Sequence, residues 1–473
     1  MTEATPIYAI DPPTGPQRLR GDLTQGPILK TLLVFSVPTL IANVLQTLNG
    51  SVNAIWVGRL LGESALAATA NANVIMFLMF AAVFGLGMAT TVRIGQHFGG
   101  RNLDGARRSF GAGLGFCTLL SVGIGCAGWA FAPALLRLLA TPEGSQAEAL
   151  AYLRVVFVTM PFGTLSVMLS MGLRGAGDSR TPLYAMILTV LCDIVLNPLL
   201  ILGIGPLPRL GIAGSAISTA LANLVGVVMM LAILYGKDLP LRLKGTELRY
   251  LVPGRRDLAY AVAKGMPMGA QMLLISLSHV MLIGLVNREG LNTTAAYGAS
   301  LQLWNYLQMP AYAIASAVSA MVAQSIGAGN HSRVGRVTRI GIITNLAMTG
   351  TLAALIVLFD KPLLGLFLGA ASPALPIAAH MQLICTWSFI LSGIMMILTG
   401  TMRAYGAVLL PLLVIFVALY PARLGFYFMA YDRMGADALW WSYPFGSLVV
   451  LGLTWLAYTR GSWRKRRGTA VFA

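Results

Sequence analysis

The sequence predicts an all-α membrane protein with twelve transmembrane helices arranged as two parallel six-helix repeats. Three observations predict it: the composition, a series of twelve apolar runs, and residues that recur at one offset. Of the 473 residues, 57% are hydrophobic and 10% are charged, whereas soluble domains carry about 25% charged residues. This composition argues against a water-soluble enzyme, and against a disordered chain, which needs low hydrophobicity.

Apolar runs place the twelve helices along the chain. A spanning helix needs about 20 apolar residues, and each run is long enough to supply them. The first six runs cover residues 29–56, 66–92, 109–139, 148–172, 183–205 and 210–236. The second six cover residues 258–287, 294–326, 340–368, 376–401, 411–430 and 438–459. The predicted segments are therefore an N-terminal tail 1–26, a first lobe 27–236, a linker 237–257, a second lobe 258–460 and a basic tail 461–473.

The distribution of Lys and Arg predicts the orientation. The chain has 33 of these cations against 16 acids, a net charge of +17. The two tails and the even-numbered loops hold 25 cations, and the odd-numbered loops hold seven, with Arg423 counted among the seven. The remaining cation, Arg154, lies within predicted helix 4. Because cytoplasmic loops collect Lys and Arg, we expect a multi-pass protein of the inner membrane with both termini in the cytoplasm. This explains the charge better than nucleic-acid binding.

The two halves of the sequence repeat each other. Pro38 recurs as Pro267 and Gln96 recurs as Gln324, at offsets of 229 and 228. Each half has an even number of predicted helices, so both halves start on the same side, as in some secondary transporters. We expect a cleft between the lobes that opens to each side in turn, with a channel or a membrane scaffold as the alternative. A third match, also at an offset of 229, relates two triplets of residues. The triplet in the first half is Arg174, Gly177 and Pro182, and it recurs in the second half as Arg403, Gly406 and Pro411.

These residues resemble the signature of the multidrug and toxic compound extrusion (MATE) family. The likeness rests on Arg-x2-Gly-x4-Pro at both turns, on Val57-Gly58, on Gln96 with Gly99 and Asn102, and on the segment 211–219. It covers about residues 27–460 and is strongest to the DinF-like branch. The resemblance implies a V-shaped, two-lobed transporter that exchanges organic, often cationic, compounds for protons or sodium. It implies no enzymatic activity and no cofactor beyond the coupling ion.

The sequence departs from the family pattern at its acidic positions. The family usually places an Asp where this chain has Asn53, and DinF-like members carry Asn and then Asp in helix 5, where this chain has Asp193 and then Asn197. The NorM-like branch carries acids in helices 7 and 10, at places that correspond here to Ile275 or Ser276 and to Ser392. The resemblance therefore implies the same site with a carboxylate moved by one helical turn.

Asp193 is the acid that stands out on physical grounds. The other 15 acids lie in tails, loops or helix ends, whereas Asp193 lies near the middle of the run 183–205. A central Asp costs about 2.5–3.5 kcal/mol on insertion scales, and such residues usually mark ion or proton pathways. We predict that Asp193 binds the coupling proton, with Asn197 one turn away as its hydrogen-bond neighbour. A purely structural Asp, and sodium bound by Asp193, Asn197 and Asn53, remain alternatives.

Other polar residues are candidates for the same region. Gln46, Asn49 and Asn53 recur at i, i+3 and i+7 of helix 1 and so share one face, which either lines the cleft or joins helices. Thr219 matches a family position near the proton site, and Ser218 and Asn223 are adjacent candidates.

Pro38 removes a backbone hydrogen bond within helix 1. It is therefore a candidate hinge that bends when Asp193 changes its protonation, or else it forms a static kink.

Motifs for nucleotide or metal chemistry are absent from the sequence. It has no Walker loop, no HExxH and no Cys/His metal cluster, so the energy for transport must come from an ion gradient. The expected partners are small organic substrates and the lipid bilayer, with a monomer as the working unit. A lipid-linked or polysaccharide flippase of the same superfamily is a further alternative, but it would need a cleft rich in cationic side chains, and the predicted membrane interior carries few.

Overall fold

The computed structural model describes residues 21–138, 143–204, 208–369, 371–461 and 463. Every regular element within these ranges is a helix, so the predicted all-α membrane fold is confirmed. Residues 1–20 of the predicted N-terminal tail and residues 464–473 of the predicted basic tail lie outside the described residues.

The first six predicted helices are six continuous helices. They extend the apolar runs by a few residues at most ends, because polar residues complete the first and last turns. Their bounds are α1 Ile28–Leu61, α2 Glu63–Gly99, α3 Leu103–Leu138, α4 Glu143–Gly175, α5 Arg180–Leu202 and α6 Ile212–Gly236.

In the second half, three predicted helices are broken. The run 340–368 contains two helices, the run 376–401 contains a pair bent by 42°, and the run 411–430 contains a π-helical segment, Ala418–Leu424. Pro421 lies in that segment, and a proline there cannot donate the regular helical hydrogen bond. The bounds are α7 Arg255–Val286, α8 Leu291–Gly327, α9 His331–Leu358, α10 Asp360–Leu368, α11 Ala374–Cys385, α12 Ser388–Ala404, α13 Leu409–Val417, α14 Gly425–Met434 and α15 Asp437–Arg460.

The lengths and compositions of these helices fit a membrane protein. Among the described residues, ten helical segments are long and apolar enough to cross a bilayer, and the bent pair of α11 and α12 makes an eleventh. Here α13, the π segment and α14 count as one span, Leu409–Met434. The remaining predicted helix, α15, has 24 residues and is not among these segments.

The helices form two groups that meet at one end. In the first group α4 packs on α2, α3 and α6, and in the second α8 packs on α9 and α12. Near the start of α1 and the end of α8, one apolar cluster mixes both groups and includes Leu32, Phe35, Ile314 and Met321. At the opposite ends of these helices, each apolar cluster draws its members from one group alone. The groups therefore diverge from one closed end, as in a V.

Glycine allows the two groups to approach closely at the closed end. Gly99 of α2 lies against the backbone of Gln324, and Gly327 of α8 lies against the backbone carbonyl of Gln96. A side chain at either glycine would collide with that backbone, so the close contact depends on the missing Cβ. Gly99 and Gly327 are equivalent positions of the repeat, at the same offset as the two glutamines.

Candidate functional site

The carboxylate of Asp193 is fully buried on α5. Two amides of α1 point at one of its oxygens: Asn49 Nδ2 donates to Asp193 Oδ2 at 2.8 Å, and Asn53 Nδ2 donates to the same oxygen at 2.9 Å. Asn49 and Asn53 are one helical turn apart and therefore share a face. The polar stripe predicted for helix 1 thus contacts the predicted acid.

Two hydroxyl groups of α6 contact the carboxylate from another side. Ser218 Oγ donates to Asp193 Oδ1 at 2.6 Å. Thr219 Oγ1 lies 3.3 Å from Oδ2 and 3.4 Å from Oδ1, and it also lies 3.3 Å from Asn53 Nδ2. We call Asp193, Asn49, Asn53, Ser218 and Thr219 the Asp193 cluster. It joins α1, α5 and α6 through one carboxylate.

The structure corrects the predicted partner of Asn197. This residue is fully buried, but its Nδ2 donates to Asn53 Oδ1 at 2.7 Å rather than to Asp193. The reason is that Asn53 of α1 reaches between the two side chains of α5. The bonds form a chain from Asn197 through Asn53 to Asp193. The carboxylate in α5 and the amide in α1 are therefore direct neighbours.

The Asp193 cluster carries no ion pair and has unused acceptors. Among the described residues, no Lys, Arg or His forms a salt bridge with Asp193. Asn49 Oδ1 and Asn197 Oδ1 are buried and accept no hydrogen bond. The arrangement can therefore accept one proton on the carboxylate, or it can offer several oxygens to a small cation.

Gln46 and Asn223 lie outside the cluster. Gln46 is exposed on α1 and Asn223 is half-buried on α6, and neither forms a hydrogen bond with Asp193, Asn53 or Thr219 in the described part of the chain. Conversely, Ser218, the other candidate adjacent to Thr219, forms the shortest contact with Asp193. Its position beside Thr219 was the available signal.

Pro38 lies inside α1, which continues through it from Ile28 to Leu61. It stands between the part of α1 that contacts α8 at the closed end and the part that carries Asn49 and Asn53. This is where a hinge would have to lie, while the helix itself is unbroken.

The repeated Arg-Gly-Pro signature forms two equivalent turns. The Gly177 N–H donates to Arg174 O at 3.0 Å, and the Gly406 N–H donates to Arg403 O at 2.8 Å. Both glycines have positive φ, +85° and +78°, which favours glycine after a helix end. Pro182 and Pro411 follow within the first turns of α5 and α13, where a missing N–H costs little. The Gly and Pro residues of the signature therefore form the turn between the two helices in each half.

Arg423 was predicted to lie in an odd-numbered loop, and this is wrong. It lies in the π-helical segment between α13 and α14 and is only 5% exposed. The guanidinium carbon is 3.5 Å from the centre of the Tyr443 ring, and Nε and Nη2 have no hydrogen-bond partner. At the offset of the repeat, the position equivalent to Asp193 is the adjacent Ala422. The two halves thus carry a buried acid and a buried base at matching levels.

The chain is similar in sequence to a known protein family and to several of its members. The MatE family model matches residues 38–199 and 267–429, so it matches once in each half, from Pro38 and from Pro267. The probable multidrug resistance protein YoeA of Bacillus subtilis (strain 168) is 35% identical over 94% of this chain and 96% of its own length. The probable multidrug resistance protein YpnP of the same organism is 30% identical over 94% of this chain and 97% of its own.

A solved structure shows the same fold. It is described as the outward-facing conformation of a multidrug resistance MATE family transporter of the MOP superfamily. Its TM-score is 0.85, with 22% identity over 95% of this chain and 100% of that chain.

Proposed function

This chain belongs to the MATE family of multidrug efflux transporters, and from that premise we propose that it is a proton-coupled antiporter of organic, often cationic, compounds. We further propose that it alternates access by rocking its two lobes, with the divisions predicted from the sequence at 27–236 and 258–460. The observation that carries the proposal is the buried Asp193 carboxylate, which has no ion-pair partner among the residues that the structure describes. A buried charge without a counter-charge is costly, and a bound proton removes that charge.

Protonation of Asp193 would change the forces on α1. The charged carboxylate accepts hydrogen bonds from Asn49 and Asn53, both of which belong to α1. A neutral carboxyl group accepts weaker bonds and has one O–H to donate, and Asn49 Oδ1 is a buried acceptor without a donor. Uptake of a proton would therefore rearrange the contact between α1 and α5, and Pro38 lies where α1 would bend.

Sodium coupling is the second candidate, and one observation favours it. Asn49 Oδ1 and Asn197 Oδ1 are unused acceptors near the carboxylate, and hard cations are bound by carboxylate and amide oxygens. A flippase is disfavoured because Arg154 of α4 and Arg423, two cations within the described spans, each lie over an aromatic ring and form no cationic cleft. Proton coupling ranks first because a proton neutralises Asp193 without requiring further ligands.

The membrane location, the orientation and the oligomeric state of the protein are also proposals. The excess of Lys and Arg in the tails and even-numbered loops supports an inner-membrane location with both termini in the cytoplasm. With this orientation, the closed end of the V faces the cytoplasm. We propose a monomer of the DinF-like branch, since one chain supplies both lobes.

Dye transport in proteoliposomes of controlled orientation tests the proposal. A fluorescent organic cation is loaded, a pH gradient or a sodium gradient is imposed separately, and the native chain is compared with Asp193→Asn. We expect the pH gradient to drive transport in the native chain and not in Asp193→Asn. Asp432→Asn is the control, because Asp432 is exposed and lies outside the Asp193 cluster.

Two results would contradict this assignment. Transport driven by sodium alone would replace the proton with sodium. Normal transport by a well-folded Asp193→Asn protein would make Asp193 structural.

A further inference from the structure

A cavity of about 610 Å³ lies at the end of the bundle where α1 and α5 begin. Its walls are the segment 21–27, the first turns of α1, the turn 176–179, the first turns of α5 and the segment 237–241 after α6. It is remote from the Asp193 cluster, because Lys30 and Arg180 at its mouth precede Asn49 and Asp193 by several helical turns. The transport mechanism proposed above makes no use of it.

Three cations line this cavity without an ion-pair partner. Lys30, Arg180 and Lys237 are all exposed, and none of them forms a salt bridge within the described residues. Two carboxylates also line the cavity, but both are engaged by local groups. Asp22 accepts from the Thr24 N–H and hydroxyl, and Asp178 accepts from the N–H groups that open α5.

The start of α1 adds a further attraction for an anion. This helix begins without a capping side chain and without an acid in its first turn. Its first N–H groups therefore remain available, and the N-terminal end of a helix carries partial positive charge. Cationic side chains and a helix N-terminus thus meet in one cavity.

On α1 and on α5, the cation at the start of the helix is followed by a stripe of exposed apolar side chains along the same face. On α1 the exposed side chains Lys30, Val34, Val37 and Ile41 follow one another at i, i+4, i+7 and i+11. On α5 the exposed side chains Arg180, Tyr184, Ile187 and Leu191 have the same spacing. The first two members of both stripes line the cavity, and α1 packs on α5. A charged site therefore leads directly onto exposed apolar surface.

Two of these cations are not repeated in the second half. At the offset that relates Pro38 to Pro267, Lys30 corresponds to Ala259 and Arg180 corresponds to Leu409. Lys237 corresponds to Arg466, and α7 begins with Arg255 and Arg256. Lys30 and Arg180 are therefore the cations that distinguish this cavity from the equivalent region of the second half.

We propose that the cavity binds the phosphate group of an anionic membrane lipid, with its acyl chain lying along the stripes of α1 and α5. Basic pockets between membrane helices are suited to anionic headgroups, and Lys and Arg place their charges at the membrane boundary while their stems lie on apolar surface. A lipid bound here bridges α1 to α5, the two helices that also meet through Asp193.

Native mass spectrometry of the full chain in detergent tests this proposal. The protein is incubated with phosphatidylglycerol or with phosphatidylcholine of the same acyl chains. We expect the native chain to retain one phosphatidylglycerol with at least about fivefold higher occupancy than phosphatidylcholine. We expect Lys30→Gln/Arg180→Gln/Lys237→Gln to lose this preference, and Lys30→Gln/Lys237→Gln to weaken it.

A matched variant controls for the general effect of removing surface charge. Arg255, Arg256 and Arg336 are exposed and do not line the cavity, so Arg255→Gln/Arg256→Gln/Arg336→Gln should keep the preference. The melting temperature of each variant shows whether it is folded. If the triple variant of the cavity does not fold, the double variant Lys30→Gln/Lys237→Gln is compared with the native chain instead.

Three results would overturn the proposal. One is equal retention of both lipids by the native chain. Another is unchanged retention by the folded variants of the cavity. The third is complete displacement of the lipid by glycerol phosphate or inorganic phosphate at equal concentration, which would make the cavity a site for soluble phosphates. None of these results bears on coupling through Asp193.

Discussion

Gln96 and Gln324 are equivalent residues of the two repeats, and each donates a hydrogen bond across the boundary between the two halves of the chain. Gln96 Nε2 donates to Ala404 O at 2.7 Å, and Gln324 Nε2 donates to Gly175 O at 3.2 Å. Gly175 and Ala404 follow Arg174 and Arg403 of the repeated signature, so the acceptors are equivalent as well. All of this lies at the closed end of the V, where the helix ends of both halves are in contact. The closed end is therefore held by a symmetric pair of bonds, and the proposed rocking of the lobes would have to break them.

Replacing both glutamines should weaken the closed end. We expect Gln96→Leu/Gln324→Leu to destabilise it by at least about 1–3 kcal/mol, from the two hydrogen bonds across the boundary. That energy changes the ratio of two conformations by about fivefold or more. Gln324 also accepts from the Leu23 N–H at 2.9 Å and donates to Gly21 O at 3.3 Å, so its replacement removes these bonds as well. The measurement is thiol labelling of Ser325→Cys, a position fully buried at the closed end, in a background without the native cysteines. Labelling should become faster.

The control for this experiment is Gln302→Leu on the same helix. Gln302 is exposed on α8, so its replacement should leave the labelling rate unchanged. An unchanged rate in the double variant would show that the two bonds do not hold the closed end.

Exchanging the acid and the amide between α1 and α5 tests whether the site tolerates either arrangement. Asn53 Nδ2 and Asp193 Oδ2 are 2.9 Å apart, so Asn53→Asp/Asp193→Asn keeps one carboxylate and one amide in the same contact. We expect this exchange to restore a substantial part of the pH-driven dye transport that Asp193→Asn alone abolishes. A double variant as inactive as Asp193→Asn would require the carboxylate to stay on α5.

Adding a second acid should change the pH dependence of transport. In Asn53→Asp two carboxylates would face each other at hydrogen-bond distance, and such a pair holds one proton more tightly than an isolated acid. The pH of half-maximal transport should therefore move upward in Asn53→Asp. The measurement is the initial rate of dye transport across a pH series, and an unchanged midpoint would contradict a shared proton.

The fold could be predicted from the sequence almost completely, and the acid of the site could be predicted on energetic grounds. Asp193 stands alone in an apolar run, and the cost of such a residue makes it conspicuous. Spacing along helix 1 also identified the face that carries Asn49 and Asn53. Periodicity predicts which face of a helix a residue lies on. It does not predict where along the helix axis a neighbouring helix makes contact. For that reason Gln46, on the same face, lies outside the cluster.

Partners across helices could not be predicted in this way. Asn197 is one turn from Asp193, which suggested a direct bond, but a residue of α1 reaches between them. Arg423 was assigned to a loop because a charge near the end of an apolar run usually marks the membrane boundary. The π-helical segment instead keeps the helix running and buries the guanidinium. Both outcomes depend on packing between helices, which a single sequence does not encode locally.

Removing the closest donor should weaken the charged form of Asp193. Ser218 Oγ is 2.6 Å from Oδ1, and hydrogen bonds to charged groups contribute about 1.5–3 kcal/mol. In Ser218→Ala the carboxylate loses that bond, so the proton should be released only at higher pH and the midpoint of transport should rise by about one pH unit or more. The pH series described for Asn53→Asp measures this shift.

Ser121→Ala is the matched control for the serine variant. Ser121 is also fully buried, but its hydroxyl donates to Thr118 O within α3, away from Asp193. Its replacement should leave the midpoint where it is in the native chain. Equal midpoints in both serine variants and the native chain would show that Ser218 does not influence the protonation of Asp193.

The buried guanidinium of Arg423 should lower the stability of the folded protein. The group is buried, has no acidic partner among the described residues, and retains the ring of Tyr443 as its main contact. A cation–π contact contributes up to about 2 kcal/mol when desolvated, whereas the effective penalty for burying an ion is several kcal/mol. The energetic cost of burying the guanidinium exceeds the energy of the cation–π contact. We therefore expect Arg423→Met, whose side chain fills much of the same volume, to be more stable by about 1–3 kcal/mol and to unfold at a higher temperature.

Thermal unfolding in detergent measures this change. Arg433→Met is the control because Arg433 is exposed. A lower melting temperature for Arg423→Met would show that the contacts of the guanidinium outweigh the cost of burying it.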